Sequence, residues 1–200
     1  MKTFSGWIFD LDGTLTKPTH DFDFIRERLA VPAGKLILED SQSLPIEESK
    51  PLLNKLSKLE QSVIKNTQIA EGASSFIKFL HSQACEIGIL TRNTKDNAIQ
   101  TLTHIGLNEF FLPEFIIGRD EEKPKPSPDG IYYLLGKWNK KLNTAVIVGD
   151  YRLDLEAGRN AGISTILIGQ TTDGDTEKLA DYQFSNLSEL KSSLESQLQF

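Results

Sequence analysis

The sequence is poor in the residues that form covalent cross-links or soft metal sites. Its 200 residues include one cysteine, Cys85, and three histidines, His20, His81 and His104, at no ligand-like spacing. A single cysteine excludes an intramolecular disulfide and a structural zinc site built on cysteines. The fold must therefore rest on a hydrophobic core, and a chain of this length can bury one without cross-links.

Long apolar runs and excess positive charge are also missing. No apolar stretch approaches the roughly 18 residues that a membrane-spanning helix needs, and residues 1–4 lack the apolar stretch of a signal peptide. The 22 basic and 28 acidic side chains give a net charge of −6, whereas proteins that bind nucleic acids present basic surfaces. These absences predict a cytoplasmic protein that binds neither membranes nor nucleic acids.

Five short apolar runs, each followed by a polar residue or a glycine, form the strongest pattern. They cover residues 6–9, 87–90, 115–117, 145–148 and 165–168. Continuous runs of this kind are typical of strands buried on both faces of a sheet. Helical patterns separate them, including one that Thr94 is expected to cap, and the polar tail after Leu190 is expected to fray. The alternation predicts an α/β fold, a Rossmann-like doubly wound parallel sheet.

Residues 16–71 interrupt this alternation. Asp21 is placed to cap one helix, residues 35–39 are ambiguous, and residues 45–66 have the pattern of a long amphipathic helix. Its apolar stripe consists of Leu52, Leu56, Leu59 and Val63. We therefore predict a core domain of residues 1–15 and 72–200, with a small α-helical cap of residues 16–71 inserted after the first strand.

Two carboxylates follow the first predicted strand, in the segment DLDGTLT at positions 10–16. Charged side chains at the end of a buried strand are costly unless a function requires them. Beyond the strand the chain can curl, so that Asp10 and Asp12 face one pocket. One carboxylate could then attack as a nucleophile while the other transfers a proton. The alternative is an ordinary turn at Asp12-Gly13 with Asp10 as a helix cap.

Two later segments carry groups that could hold an anion. The Thr91 hydroxyl and the following amides could bind phosphate oxygens, or Thr91 could simply cap a helix. Lys125 lies in KPKPSPDG at positions 123–130, where three prolines stiffen the loop and could fix its ammonium group over an anion. Lys123 shares this context, and a solvated run of charges is the alternative.

Asp150 and Asp154 form a second acidic pair, after the fourth predicted strand. Carboxylate oxygens suit Mg²⁺, which usually takes one or two protein carboxylates and keeps several waters. Asp154 could also cap the following helix. Because ligands of such sheets bind beyond the carboxyl ends of the strands, we expect Asp10, Thr91 and Asp150 to lie together.

These four segments resemble, in order and over nearly the whole chain, the motifs of the haloacid dehalogenase-like (HAD) hydrolase superfamily. The segments at 10–16 and 149–154 are specific, whereas those at Thr91 and Lys125 are weak alone and strong in sequence register. The stretch 125–129 is similar to the third motif of the subfamily with an α-helical cap after motif one. That subfamily includes phosphoglycolate-phosphatase-like proteins.

The resemblance implies a Mg²⁺-dependent phosphatase acting on a small phosphorylated metabolite. It implies that Asp10 attacks phosphorus and forms an aspartyl-phosphate. Asp12 would protonate the leaving group and then activate the hydrolytic water. Thr91 would bind phosphoryl oxygens, and Lys125 would neutralise charge on the nucleophile and the phosphoryl group.

The resemblance also implies a metal site. Mg²⁺ would be held by Asp10, the backbone carbonyl of Asp12, and Asp150. Asp154 would assist through the water shell of the metal or by holding Lys125.

Substrate contacts are predicted for Thr91, Arg92, Asn93 and Lys125. Arg92 stands where many relatives have a small or amide residue, and it could reach the substrate or point to solvent. Lys35, in a turn of the predicted cap, is a further candidate for a substrate contact.

Other functions use a similar set of residues. A dehalogenase of this superfamily would lack the acid at Asp12, and a phosphomutase would need a larger cap to exclude water. A phospho-accepting signalling module would not have Asp12 to hydrolyse its phospho-form, and a non-catalytic binding protein would not need the whole set. The identity of the substrate and the choice between monomer and homodimer stay open.

Overall fold

The computed structural model of the chain describes residues 3–18, 22–32 and 35–198. Its strands form a parallel sheet in the order β3-β2-β1-β4-β5-β6. They are β1 (Gly6–Phe9), β2 (Glu86–Leu90), β3 (Ile116–Ile117), β4 (Ala145–Gly149), β5 (Ser164–Ile168) and β6 (Tyr182–Phe184). The predicted doubly wound parallel sheet is confirmed. The short edge strand β6 was not predicted.

Helices connect and cover the strands. They are α1 (Phe22–Leu29), α2 (Ile37–Gln42), α3 (Ile46–Val63), α4 (Ala73–Ser82), α5 (Lys95–His104), α6 (Asp129–Trp138), α7 (Arg152–Ala161), α8 (Gly174–Leu179) and α9 (Leu187–Leu198). Thr94 caps α5 as predicted, because its hydroxyl accepts a hydrogen bond from the amide of Asn97 at 3.3 Å. Asp21, the predicted cap of α1, lies outside the described residues. Among the described residues, no helix combines the length and the apolar character that a bilayer span requires.

The sheet is buried on both faces because alternate strand residues pack into two hydrophobic clusters. Trp7 and Phe9 of β1 point to the face covered by α4, where Phe76 meets the Trp7 ring edge-on at 5.4 Å. Ile8 points to the opposite face, into a cluster that contains Trp138 of α6. Burial of each side chain of this size contributes about 1.5–3 kcal/mol to the stability of the fold. The central strands are therefore a rigid support for the residues that follow their carboxyl ends.

The residues between β1 and α4 form a separate helical cluster. We call residues 16–71 the cap segment. Its apolar side chains pack on one another, and the buried ones are Ile25, Leu29, Val31, Ile37, Leu38 and Leu56. The outgoing and returning chains pair through an antiparallel bridge between Thr16 and Ile69. The ambiguous stretch at 35–39 contributes to the short helix α2, and the domain boundaries at 15/16 and 71/72 stay a prediction.

The C-terminal tail is a helix through Leu198 rather than a frayed end. Leu187 and Leu190 of α9 are fully buried and pack with α4. Leu194, one turn further on, also packs against this core. The expectation of fraying after Leu190 was wrong because apolar side chains at helical spacing continue through the polar composition of the tail.

Candidate active site

The strand order brings three of the predicted site residues to one edge of the sheet. Asp10, Thr91 and Asp150 directly follow β1, β2 and β4, and β1 pairs with both of the other strands. Backbone hydrogen bonds extend the ladder to these positions, since the amide of Asp10 donates to Val148 and that of Thr91 donates to Ile117, each at 2.9 Å. Asp10 and Thr91 are buried, so both side chains begin from a rigid support.

Lys125 joins this group from the loop before α6. Its Nζ lies 2.5 Å from Oδ1 of Asp10 and 2.5 Å from Oδ1 of Asp154, and the residue is only 1% exposed. Burial alone would lower the pKa of Lys125, but the two carboxylates raise it above its ordinary value. Lys123 is 81% exposed at its side chain and lies 3.8 Å from Asp129. The geometry therefore singles out Lys125.

The carboxylates of Asp10, Asp150 and Asp154 form a compact acidic cluster, with one oxygen from each within 4.8 Å of the others. Burial, reinforced by neighbouring carboxylates, raises the pKa of Asp10 well above its usual range even though Lys125 opposes the rise. Burial and the charge of Asp154 raise the pKa of Asp150 to about 7. Three carboxyl groups thus face a single ammonium group, and without a further cation the cluster favours bound protons.

This donor set fits a small divalent cation, which prefers carboxylate oxygens. Thr14 donates a hydrogen bond to Oδ1 of Asp150 at 3.1 Å and orients that carboxylate. A Cβ atom at Gly13, whose φ is +98°, would collide with the Asp150 carboxylate. Both oxygens of Asp154 are engaged, one by Lys125 and the other by the amide of Tyr151 at 3.0 Å, so Asp154 fixes Lys125 and the start of α7.

Asp12 and Asn93 meet beside this cluster. Asn93 Nδ2 lies 3.5 Å from Oδ2 of Asp12. The amide oxygen of Asn93 accepts hydrogen bonds from Thr94 N at 2.8 Å and from Asn97 Nδ2 at 3.0 Å, which directs its Nδ2 toward Asp12. The Thr91 hydroxyl accepts a hydrogen bond from the backbone N–H of Asn93 at 3.1 Å. This orientation role of Asn93 was not predicted.

Arg92 is paired with a glutamate of the cap segment. Its two terminal nitrogens bind the two carboxylate oxygens of Glu39 at 2.8 and 2.7 Å. The guanidinium group also donates to the backbone carbonyl of Lys125. Arg92 thus bridges the cap segment and the core. Lys35, the other cationic candidate, is 63% exposed at its side chain and lies 3.7 Å from Asp40.

A second arginine makes a similar bridge. Arg119 Nη1 lies 2.8 and 2.9 Å from the carboxylate oxygens of Glu60 in α3, and it also donates to the backbone carbonyl of Arg92 at 3.1 Å. Both side chains are largely buried. Burial raises the pKa of Glu60 to about 7 despite the hydrogen bond from Arg119.

Sequence reasoning missed five residues that support the site. They are Thr14, Glu39, Glu60, Asn97 and Arg119. Thr14 could have been found, because it lies inside the DLDGTLT segment next to Gly13. Glu60 has the spacing of an ordinary charged residue on an amphipathic helix, and Glu39 lies in the ambiguous stretch at 35–39. Their partners lie 59 and 53 positions away.

Comparison with known proteins places this arrangement in a family context. The model of the haloacid dehalogenase-like hydrolase family matches residues 7–168. A haloacid dehalogenase-like hydrolase domain-containing protein of Arabidopsis thaliana is 29% identical over 178 residues, which are 83% of this chain and 71% of that protein. The pyrophosphatase PpaX of Halalkalibacterium halodurans is 31% identical over 106 residues, 52% of this chain and 48% of PpaX.

Solved structures share the fold over almost the whole chain. A hydrolase from Pseudomonas syringae superposes with a TM-score of 0.81 at 20% identity, covering 96% of this chain and 98% of its own. A predicted phosphoglycolate phosphatase from Haemophilus somnus superposes with a TM-score of 0.75 at 20% identity, covering 97% and 99%. At such identities the likeness concerns the fold.

Proposed function

The chain belongs to the haloacid dehalogenase-like hydrolase family, and we propose that it is a Mg²⁺-dependent phosphatase that hydrolyses a small phosphorylated metabolite through an aspartyl-phosphate on Asp10. One observation carries the proposal. The buried ammonium of Lys125 lies 2.5 Å from both Asp10 and Asp154, beside the third carboxylate of Asp150. These residues come from three separate segments of the chain, and a purely structural ion pair would not need so many charges.

Charge balance supports phosphoryl transfer at this place. Such reactions depend mainly on positioning and on neutralising the phosphoryl oxygens. Lys125 supplies one positive charge at the nucleophile, and the buried Thr91 supplies a hydroxyl at the neighbouring strand end. The names of the relatives, a pyrophosphatase and a predicted phosphoglycolate phosphatase, also describe hydrolysis at phosphorus.

Two carboxylates divide the chemistry. A carboxylate oxygen of Asp10 attacks phosphorus, and the bond from phosphorus to the leaving oxygen breaks as Asp12 gives that oxygen a proton. Asp12 then removes a proton from water, which attacks the phosphorus of the aspartyl-phosphate. The phosphorus–oxygen bond to Asp10 breaks, inorganic phosphate leaves, and both carboxylates return to their starting states. Asn93 supports this role of Asp12 by directing its amide toward the Asp12 carboxylate.

Asp10 and Asp150, with the backbone carbonyl of Asp12, would hold the Mg²⁺. When bound, Mg²⁺ supplies positive charge that keeps Asp10 ionised and offsets the charge of the phosphoryl oxygens. Thr14 would keep the Asp150 carboxylate oriented, and Asp154 would act by holding Lys125.

The test is phosphate release from a panel of phosphorylated metabolites, with Mg²⁺ and with EDTA. Asp10→Asn and Asp12→Asn keep the side-chain shapes and remove the charges, and both should reduce turnover by at least about a hundredfold. Asp175→Asn is the matched control, since Asp175 is an exposed aspartate at the start of α8. Acid quenching with a radiolabelled substrate should leave label on the wild-type protein and none on Asp10→Asn.

Turnover that persists in EDTA or in Asp10→Asn would contradict the mechanism. A long-lived phospho-protein that releases little free phosphate would identify a signalling module instead. Isomerised product without released phosphate would identify a mutase.

A further inference from the structure

The cap segment places a glutamate on each of the two guanidinium groups that border the Thr91–Asn93 turn. Glu39 binds Arg92 through two hydrogen bonds of 2.8 and 2.7 Å. Glu60 binds Arg119 at 2.8 and 2.9 Å. Each guanidinium group is therefore neutralised from the side of the cap segment.

Arg92 is the more informative of the two because it lies at the active site itself. It directly follows Thr91, and it also donates to the backbone carbonyl of Lys125. The side chains of Arg92 and Glu39 are 22% and 39% exposed, so this pair is reachable from solvent, unlike the buried pair of Arg119. Partial burial favours neutral Glu39, but the hydrogen bonds and charge of Arg92 outweigh it and lower the pKa of Glu39 below its ordinary value.

The pairing of the positive side chains around the site limits how much negative charge a substrate can carry. Lys125 is shared between Asp10 and Asp154, and Arg92 and Arg119 are each paired with a glutamate. A phosphoryl group has Lys125 and the proposed cation to balance its charge. A second anionic group on the substrate would find Arg92 already paired and would approach the carboxylate of Glu39.

We propose that Glu39 is a specificity residue that, by neutralising Arg92, favours phosphate monoesters whose alcohol part carries no second negative charge. This inference rests on the proposed phosphatase function. Selection would act by repulsion of the wrong substrate, because like charges brought together at a partly buried site are strongly unfavourable. This preference would distinguish the chain from an enzyme that hydrolyses carboxylated phosphates or pyrophosphate.

The test compares two substrates with the same three-carbon skeleton, glycerol 3-phosphate and 3-phosphoglycerate. The wild type should favour glycerol 3-phosphate in kcat/KM by at least about tenfold. Glu39→Gln keeps the side-chain shape and leaves Arg92 with a net positive charge. The ratio of the two kcat/KM values should therefore shift toward 3-phosphoglycerate by about tenfold, mainly through a lower KM for 3-phosphoglycerate. Glu39→Asp retains the charge and should keep the wild-type preference.

The control variant is Glu47→Gln, which makes the same charge change at an exposed position in the first turn of α3 and should leave the ratio unchanged. A wild type that prefers 3-phosphoglycerate, or an unchanged ratio in Glu39→Gln, would overturn the inference while leaving the phosphatase function intact. If Glu39→Gln only loosened the packing of the cap segment, kcat/KM would fall equally for both substrates. The ratio would then stay unchanged, and the inference would be overturned. No Mg²⁺-dependent turnover on any substrate would overturn the phosphatase function and this inference with it.

Discussion

The ammonium nitrogen of Lys125 lies 2.5 Å from a carboxylate oxygen of Asp10, although 115 positions separate the two residues in the chain. The same nitrogen lies 2.5 Å from Asp154. A buried ion pair is rarely a source of net stability, because removing both charges from water costs about as much as their attraction returns. The proposed reaction explains the pair better, because Lys125 would neutralise charge at the proposed nucleophile Asp10.

Lys125→Met should separate catalysis from metal binding. The variant removes the positive charge beside Asp10, so turnover should fall by at least about a hundredfold. Mg²⁺ should bind more tightly than in the wild type, because an ammonium group 2.5 Å from Asp10 repels a second cation. Steady-state kinetics and calorimetric titration with Mg²⁺ measure the two effects.

Lys123→Met is the matched control for that experiment. Lys123 has the same Lys-Pro-x-Pro context but is 81% exposed at its side chain, so both turnover and Mg²⁺ affinity should stay at wild-type values. Weaker Mg²⁺ binding in Lys125→Met would contradict the prediction and would mean that Lys125 holds the carboxylates in place for the metal.

The stability of the metal-free protein should depend on Asp150. Burial, and then the charge of Asp154, raise the pKa of Asp150 to about 7 in the folded chain, compared with about 3.9 in an unfolded chain. The folded state therefore binds the proton more tightly. The contribution of protonated Asp150 to the free energy of unfolding is fully present below about pH 4, and it is lost as the pH rises to about 7. Mg²⁺ replaces the proton, so it should raise the melting temperature more at about pH 8 than at about pH 5.

Thermal unfolding at both pH values, with and without Mg²⁺, measures this effect. Asp150→Asn should reduce the pH dependence between about pH 4 and about pH 7, leaving the part that comes from Glu60 and Asp10, and it should remove most of the response to Mg²⁺. Asp175→Asn should preserve both. An equal response to Mg²⁺ at the two pH values would show that proton and metal do not compete for this cluster.

The parts of the site that follow strand ends could be predicted from the sequence, because a parallel sheet gathers its carboxyl ends at one edge. Asp10, Thr91 and Asp150 are such residues. The edge strand β6 could not be predicted, since none of its three residues is fully buried and they carry no continuous apolar run.

The pairing of the cap segment with the core could not be predicted either. Glu39 lies in a stretch with no clear helical pattern, and its partner Arg92 is 53 positions away. Periodicity shows which face of a helix is apolar, but it does not show which charged residue on the other face meets a distant arginine. That information depends on how the cap segment packs on the sheet.

Gly13→Ala should disturb the proposed metal site without changing the fold. Alanine is strained at the φ of +98° that Gly13 adopts, and its Cβ would collide with the Asp150 carboxylate. We expect a loss of about 1–2 kcal/mol in the free energy of unfolding and a fall of about 10–100-fold in Mg²⁺ affinity. Calorimetric titration measures the second effect, and Gly174→Ala, with open space around the new methyl group, is the control. Wild-type Mg²⁺ affinity in Gly13→Ala would argue that Asp150 is not a ligand.

Arg119→Ala should destabilise the protein in a pH-dependent way. The Arg119 and Glu60 side chains are only 4% and 11% exposed, so removing the arginine leaves a buried carboxylate without its partner, at a cost of about 3–5 kcal/mol when that carboxylate is charged. Burial already raises the pKa of Glu60 to about 7 with Arg119 in place, and removing Arg119 should raise it further. Glu60 would therefore be protonated at about pH 5, and the loss should be smaller there than at about pH 8.

Urea unfolding of Arg119→Ala and the wild type at the two pH values gives the free energies. Lys178→Ala breaks an exposed pair with Asp175 and should cost less than about 1 kcal/mol at either pH. An equal loss for Arg119→Ala at both pH values would mean that the arginine stabilises the fold by packing and by its bond to the Arg92 carbonyl, not by balancing Glu60.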